Sequence, residues 1–169
     1  PAMSRCAGGS VATAGAYERA SDPWLAFSAD GTVFLLSLSF SGAILAPGSA
    51  SAMLVARSSD GGVHWGTATP LIADGAAGFN DKGSISGDPT DPLSVYAVWD
   101  RLSSDNRGPV YFARTRDAGL SWESARAIYD PGVGNQTLGN LLIVLPGGAL
   151  LVVFTELDGT ATGTTAALK

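Results

Sequence analysis

The chain has 169 residues, a net charge of −5 and only 15% charged residues. It carries no basic cluster, which argues against a nucleic-acid partner, and no apolar run of the roughly 18–20 residues needed to cross a membrane as a helix. Twenty-two glycines and nine prolines suit a turn-rich all-β chain with room for one real core, and the lone Cys6 gives neither a disulfide framework nor a cysteine metal site.

Apolar runs and turn punctuation predict strands in chain order. Residues 24–28 form a short strand, Asp30-Gly31-Thr32 turns, and 33–40 is a second strand. Residues 52–58 form a third and about 64–71 a fourth. The cycle restarts with 83–87, which pairs with 94–101 across Asp88-Pro89-Thr90-Asp91-Pro92, and continues through 109–116 and 121–128. A third cycle opens with 138–145, turns at 146–148 and runs on through 149–157. Asp30, Asp88 and Pro146 recur 58 positions apart. The second strands are apolar on both faces, as in Val33-Phe34-Leu35-Leu36 and Leu150-Leu151-Val152-Val153-Phe154, and little helix is expected.

One short pattern occurs twice. Ser58-Ser59-Asp60-Gly61-Gly62-Val63-His64-Trp65 and Thr115-Arg116-Asp117-Ala118-Gly119-Leu120-Ser121-Trp122 both fit Ser/Thr-x-Asp-x-Gly-x-x-Trp, and Asp60 and Asp117 lie 57 positions apart. Asp and Ser/Thr in a tight turn bond nearby backbone. The glycine takes positive φ, and the Trp re-enters a strand and buries a large ring. Each copy is therefore read as a self-stapled hairpin turn, and Ser58, Asp60, Gly62, Trp65, Thr115, Asp117, Gly119 and Trp122 as structural residues. A repeat of this length points to stacked supersecondary units.

These two copies resemble the Asp boxes, or BNR repeats, of the sialidase-type β-propeller. Further likeness lies in Ser21-Asp22-Pro23-Trp24, Phe79-Asn80-Asp81-Lys82, Val95-Tyr96-Ala97-Val98-Trp99-Asp100-Arg101 and Leu145-Pro146-Gly147-Gly148, so that it covers about residues 17–160. The fold implied is an all-β propeller in one partial domain. Blade one spans about 24–71, blade two about 83–128, and an incomplete blade three about 138–169. A third box would fall near position 174, past Lys169, so two full blades and about half of a third are expected.

The resemblance implies a ligand face at the loops after the second strands and between blades. That face collects Arg19, Asp22, Asp81, Lys82, Asp100, Arg101, Gln136 and Glu156. Hydrolysis of a glycosidic bond generally uses paired acidic groups, with a Tyr nucleophile in sialidases. Asp81, Asp100 and Glu156 are the candidate catalytic carboxyls. Arg19, Asp22, Lys82, Arg101 and Gln136 are candidate ligand-binding residues, the arginines through their planar fork. The bland alternative is that strand-end Asp and Arg pair with each other as rim ion pairs. The Arg-Ile-Pro signature of sialidases is absent, and their three-arginine clamp draws on blades spread around the ring. Tyr17-Glu18 imitates a nucleophile–base pair only in adjacency. Trp24, Trp65, Trp99 and Trp122 read as blade-packing residues, and His64 as a turn residue.

Three functions are compatible with this sequence. One is a sialidase-like glycoside hydrolase acting on sialylated or other anionic glycans. Another is a catalytically silent module that binds glycan or protein. The last is a self-assembling stack of blades, since an open stack leaves exposed sheet edges. The expected partners are a glycan and either further copies of the chain or missing blades. No nucleic acid, membrane, cofactor or metal is expected, Asp60, Asp91 and Asp117 lacking calcium-loop spacing. An extracellular or cell-envelope, bacterial setting fits the family.

Overall fold

The computed structural model describes residues 1–160 and 163–169, with the side chain of residue 160 also left aside. Its three antiparallel sheets follow one another along the chain. The first runs β1 (Arg19–Phe27), β2 (Val33–Ser41), β3 (Ala50–Ser58), β4 (Thr69–Asp74), and the second β5 (Phe79–Gly87), β6 (Val95–Leu102), β7 (Val110–Thr115), β8 (Arg126–Tyr129). The third has β9 (Asn135–Val144), β10 (Leu150–Thr160) and β11 (Gly163–Leu168). Each sheet pairs its strands in sequence order, as propeller blades do, and β1, β5 and β9 are the inner strands, β5 packing against both others. Two short 3-10 turns at Arg5–Ala7 and Val11–Thr13 precede them.

Blades bury their faces against each other. Phe34, Leu36, Leu38, Met53 and Val55 of the first blade meet Phe79, Ile85, Val95, Ala97 and Trp99 of the second. Val98, Val110 and Phe112 on the opposite face of the second blade meet Leu142 and Phe154 of the third. The N-terminal segment covers the remaining face of the first blade, where Met3 and Tyr17 pack on Ala52, Leu54 and Trp65.

One position of each second strand pins its blade to what precedes it. Ser39, Arg101 and Glu156 occupy matching registers, opposite Ala20, Asn80 and Thr137. The Ser39 hydroxyl donates to the Met3 carbonyl at 2.8 Å. Arg101 grips Asp74 of β4 with two bonds of 2.8 and 2.7 Å. The Tyr129 hydroxyl of β8 donates to Glu156. Asn80 joins the Arg101 pin, donating to Asp74 and accepting from the Trp99 indole. Burial alone would raise the Asp74 carboxyl, but Arg101 and Asn80 outweigh it and hold it below the ordinary value.

Both boxes make the same bonds. The Ser58 and Thr115 hydroxyls donate to Asp60 and Asp117 at 2.8 and 2.7 Å, and accept from the Gly62 and Gly119 amides at 2.9 Å. The His64 and Ser121 amides close the turn on the same carboxylates at 2.9 Å. Gly62 and Gly119 have φ of 90° and 81°, and a Cβ on Gly119 would strike Phe34 of the neighbouring blade. The boxes run longer than the sequence reading. Trp65 and Trp122 stay in the turn, half-buried, and the fourth strands begin only at Thr69 and Arg126. The Trp65 indole is used inside the turn, donating to the Gly62 carbonyl at 2.9 Å.

The inner strands start earlier than expected, at Arg19, Phe79 and Asn135. Each contains a register shift, between Ser21 and Trp24, Asp81 and Ser84, and Leu138 and Leu141. Such a bulge breaks the two-residue alternation and hides the strand's first half from a periodicity reading.

Removing one partner of the half-buried Arg101–Asp74 pair strands the other charge. Asp74→Ala is expected to cost about 3 kcal/mol in urea unfolding, and adding Arg101→Leu to recover part of that loss. The Asp60 and Asp117 carboxyls fall from 3.8 to about 2, chiefly through bonds from residues 64 and 121 of their own turns. A carboxyl lowered by folding stabilises above its unfolded value, and that stability drains away as pH falls through the folded one. Asp117→Asn is therefore expected to flatten the loss of stability between about pH 4 and pH 2, followed by urea midpoints across that range.

Candidate functional site

The bulges form the site. At each one a single residue takes positive φ: Asp22 at 50°, Lys82 at 41° and Gly139 at 71°. For Asp and Lys this is strained backbone, held in place by the packing around it. Gly83 follows Lys82, and a Cβ there would press on the terminal methyl of Met53. The bulges turn Asp22, Lys82 and the Asn140 that follows Gly139 toward one groove of about 520 Å³, lined also by Pro23, Trp24 and Leu141.

Lys82 lies at its centre. Its ammonium donates to Asp22 Oδ2 at 2.7 Å and lies 3.8 Å from Asp81 Oδ1. The Asp22 and Asp81 carboxyls thus share one ammonium between them. Their environments pull them apart: the bond from Lys82 lowers Asp22, whereas burial raises Asp81, with the Asp22 charge adding to the rise. Directly across the sheet from Asp81 is Asp100, 5% exposed. Burial and then the Asp81 charge push its carboxyl well above the ordinary value. Its Oδ1 accepts from Asn140 Nδ2 at 3.2 Å.

Arg19 lies at the edge of a second hollow, of about 530 Å³, which shares Asp22 and Lys82 with the groove and is lined also by Asp81. Its guanidinium donates to the Gly42 carbonyl at 2.6 Å and rests 4.4 Å above the Phe40 ring. Arg19, Asp22, Asp81, Lys82 and Asp100 thus come together, as residues within strands rather than in loops between blades. Arg101, Gln136 and Glu156 do not join them. Arg101 is taken by Asp74, Gln136 donates to Asn106 at 3.2 Å, and Glu156 is held by Tyr129 with the Lys169 ammonium 3.6 Å away.

Two groove residues escaped the sequence reading. Trp24, expected to pack between blades, is 40% exposed and lines the groove. Asn140 was not singled out, and its only signal is a Gly-Asn pair interrupting an apolar run from Leu138 to Leu145.

Strand order, inner-strand packing and paired boxes define a sialidase-type β-propeller fold. Among solved structures the chain is similar to the Hadza microbial sialidase Hz136, at 16% identity and a TM-score of 0.58, over 88% of this chain and 30% of that one. It is also similar to a protein of unknown function from Dyadobacter fermentans, at 13% identity and a TM-score of 0.48, over 90% of this chain and 61% of that one. No family model and no curated protein matches the sequence. The chain therefore spans under a third of the sialidase with which it shares its fold.

A carboxyl raised by folding resists ionisation in the folded state, so it costs stability as pH rises above the unfolded value. Asp100→Asn, which keeps an acceptor for Asn140, is expected to raise the melting temperature at about pH 7 and to leave it unchanged near pH 3. A fall at neutral pH would instead show that Lys82 needs the Asp100 charge.

Proposed function

We propose that the bulged inner strands form a glycan site of the sialidase-like kind, in which Asp22 and Asp81 act as a proton-sharing carboxyl pair. The observation that carries this reading is the single Lys82 ammonium placed 2.7 Å from Asp22 and 3.8 Å from Asp81, the first carboxyl lowered by its bond to Lys82 and the second raised by burial. Sites that move protons hold acid and base in unequal environments in this way. Both carboxyls lie on one ammonium rather than on two sides of a glycosidic bond. The pair therefore serves as a single donor: the Asp81 proton passes to the glycosidic oxygen as its bond to the anomeric carbon breaks, a solvent water adds to that carbon and its released proton restores Asp81, while Asp22 remains ionised on Lys82. A catalytically silent glycan-binding module uses the same groove without that transfer.

A panel of fluorogenic glycosides, sialoside included, tests the reading. Turnover that falls at least about a hundredfold in Asp81→Asn is the result expected of the hydrolase. Binding without turnover selects the silent module, and neither binding nor turnover overturns the glycan site.

A second reading, self-association, is favoured by one observation. Leu141, Ile143 and Leu151 of the third blade are 39–43% exposed on the face turned away from the second. A second copy of the chain covering these side chains would bury them, and light scattering after size exclusion is then expected to give a dimer, whereas a monomer would overturn it.

A further inference from the structure

The two boxes are copies of one turn, but their flanks differ in charge. The amide after each box tryptophan donates to the carbonyl of the arginine that precedes the box, Gly66 to Arg57 at 2.9 Å and Glu123 to Arg114 at 2.8 Å. The backbones therefore match, 57 positions apart. In the second blade the Glu123 carboxylate accepts from Arg114 Nε at 2.7 Å, with Arg116 3.7 Å away. In the first blade a glycine stands in that place. Arg57 is half-buried, and among the described residues its guanidinium has neither a hydrogen bond nor an ion pair.

A guanidinium drawn out of water without a carboxylate gives up hydration and gains no partner. Only Nε is closed off; the two terminal nitrogens remain at the surface. There Arg57 borders a hollow of about 320 Å³ with Asp60, His64, Trp65 and Gly66, and none of its lining belongs to the groove of Asp22 and Lys82. The hollow has room for what is missing, since a Cβ on Gly66 would meet nothing nearer than the Arg57 carbonyl at 3.5 Å. Asp60 does not fill the gap, because Ser58, the His64 amide and the His64 ring occupy its oxygens. Nor does it bar an anion: the second blade holds Asp117 in the same way and still carries Glu123 on Arg114.

We propose that the hollow beside the first box is a carboxylate-binding site. The terminal nitrogens of Arg57 receive from outside the acidic group that Glu123 supplies to Arg114 from within the chain, a role that suits the planar fork of arginine. The site is independent of the glycan reading and shares no residue with it.

The test is an NMR titration of the full chain with acetyl-Gly-Glu-Gly-amide, its glutamine counterpart and acetate, following the Trp65 indole and Gly66 amide signals. The glutamate peptide is expected to shift both signals and to bind at least about tenfold more tightly than the glutamine peptide. Arg57→Gln and Gly66→Glu are each expected to weaken it by about tenfold or more, the first by removing the fork and the second by filling it from within. Gly66→Glu keeps Arg57 and remains informative if Arg57→Gln fails to fold. Acetate binding as tightly as the glutamate peptide makes a free organic acid the ligand, and weaker acetate makes it an acidic side chain of another polypeptide. Equal binding of the two peptides overturns the proposal, as does glutamate binding that survives either folded variant. The absence of any shift at Trp65 and Gly66 overturns it as well.

Discussion

A four-stranded antiparallel sheet with apolar residues on both faces cannot bury either face by itself, and everything else in this molecule answers that constraint. Trp99, Phe34, Leu36 and Met53 reach nearly full burial only because one blade lies against the next. A fully buried side chain of this size contributes on the order of 1.5–3 kcal/mol, as an upper estimate. The Arg101–Asp74 fork brings two charges out of water and gains far less than its geometry suggests. Packing therefore supplies the stability, while the pins supply the register. A slip of one residue in a second strand would swing Arg101 or Glu156 away from its partner and turn the apolar set to the wrong face.

The ends of the stack meet the constraint differently. On the first blade, Met3 and Tyr17 take the place of a neighbouring blade, and Ser39 is pinned to Met3 as Arg101 is pinned to Asp74. The third blade leaves Leu141, Ile143 and Leu151 on a face that no described residue covers to the same extent. Apolar surface of that kind is where a sheet protein meets another surface. The N-terminal segment shows that, in this fold, a stretch without strands suffices to cover a blade.

What the sequence disclosed was what local chemistry determines. The boxes were legible because hydroxyl, carboxylate and glycine satisfy one another within a few residues, and the blade period followed from their spacing. The inner strands were half hidden because positive φ at Asp22 and Lys82 has no glycine to announce it. Arg101 and Glu156 looked like ligand residues because their partners, Asp74 and Tyr129, lie 27 positions upstream in another blade, a distance at which no turn or strand pattern connects them. Trp24 looked like a packing residue because an indole in a strand usually is one. Only the shape of the groove shows it facing outward.

The aspartates divide into two groups, and the division carries the functional argument. Asp30, Asp60, Asp88 and Asp117 sit in turns, where bonds from their own turn lower them, and each is used up by its local backbone. Asp81 and Asp100 are raised, by burial first, facing each other across one strand pair. A fold seeking only stability would not bury two carboxyls beside a strained lysine when Asn or Ser would fill the space at lower cost. Asp22, ionised on that lysine, completes an arrangement in which three identical side chains hold their protons with different strength. Such differences are the usual mark of a site that handles protons or ligands. Here they coincide with the bulges and the groove where the propeller brings its inner strands together.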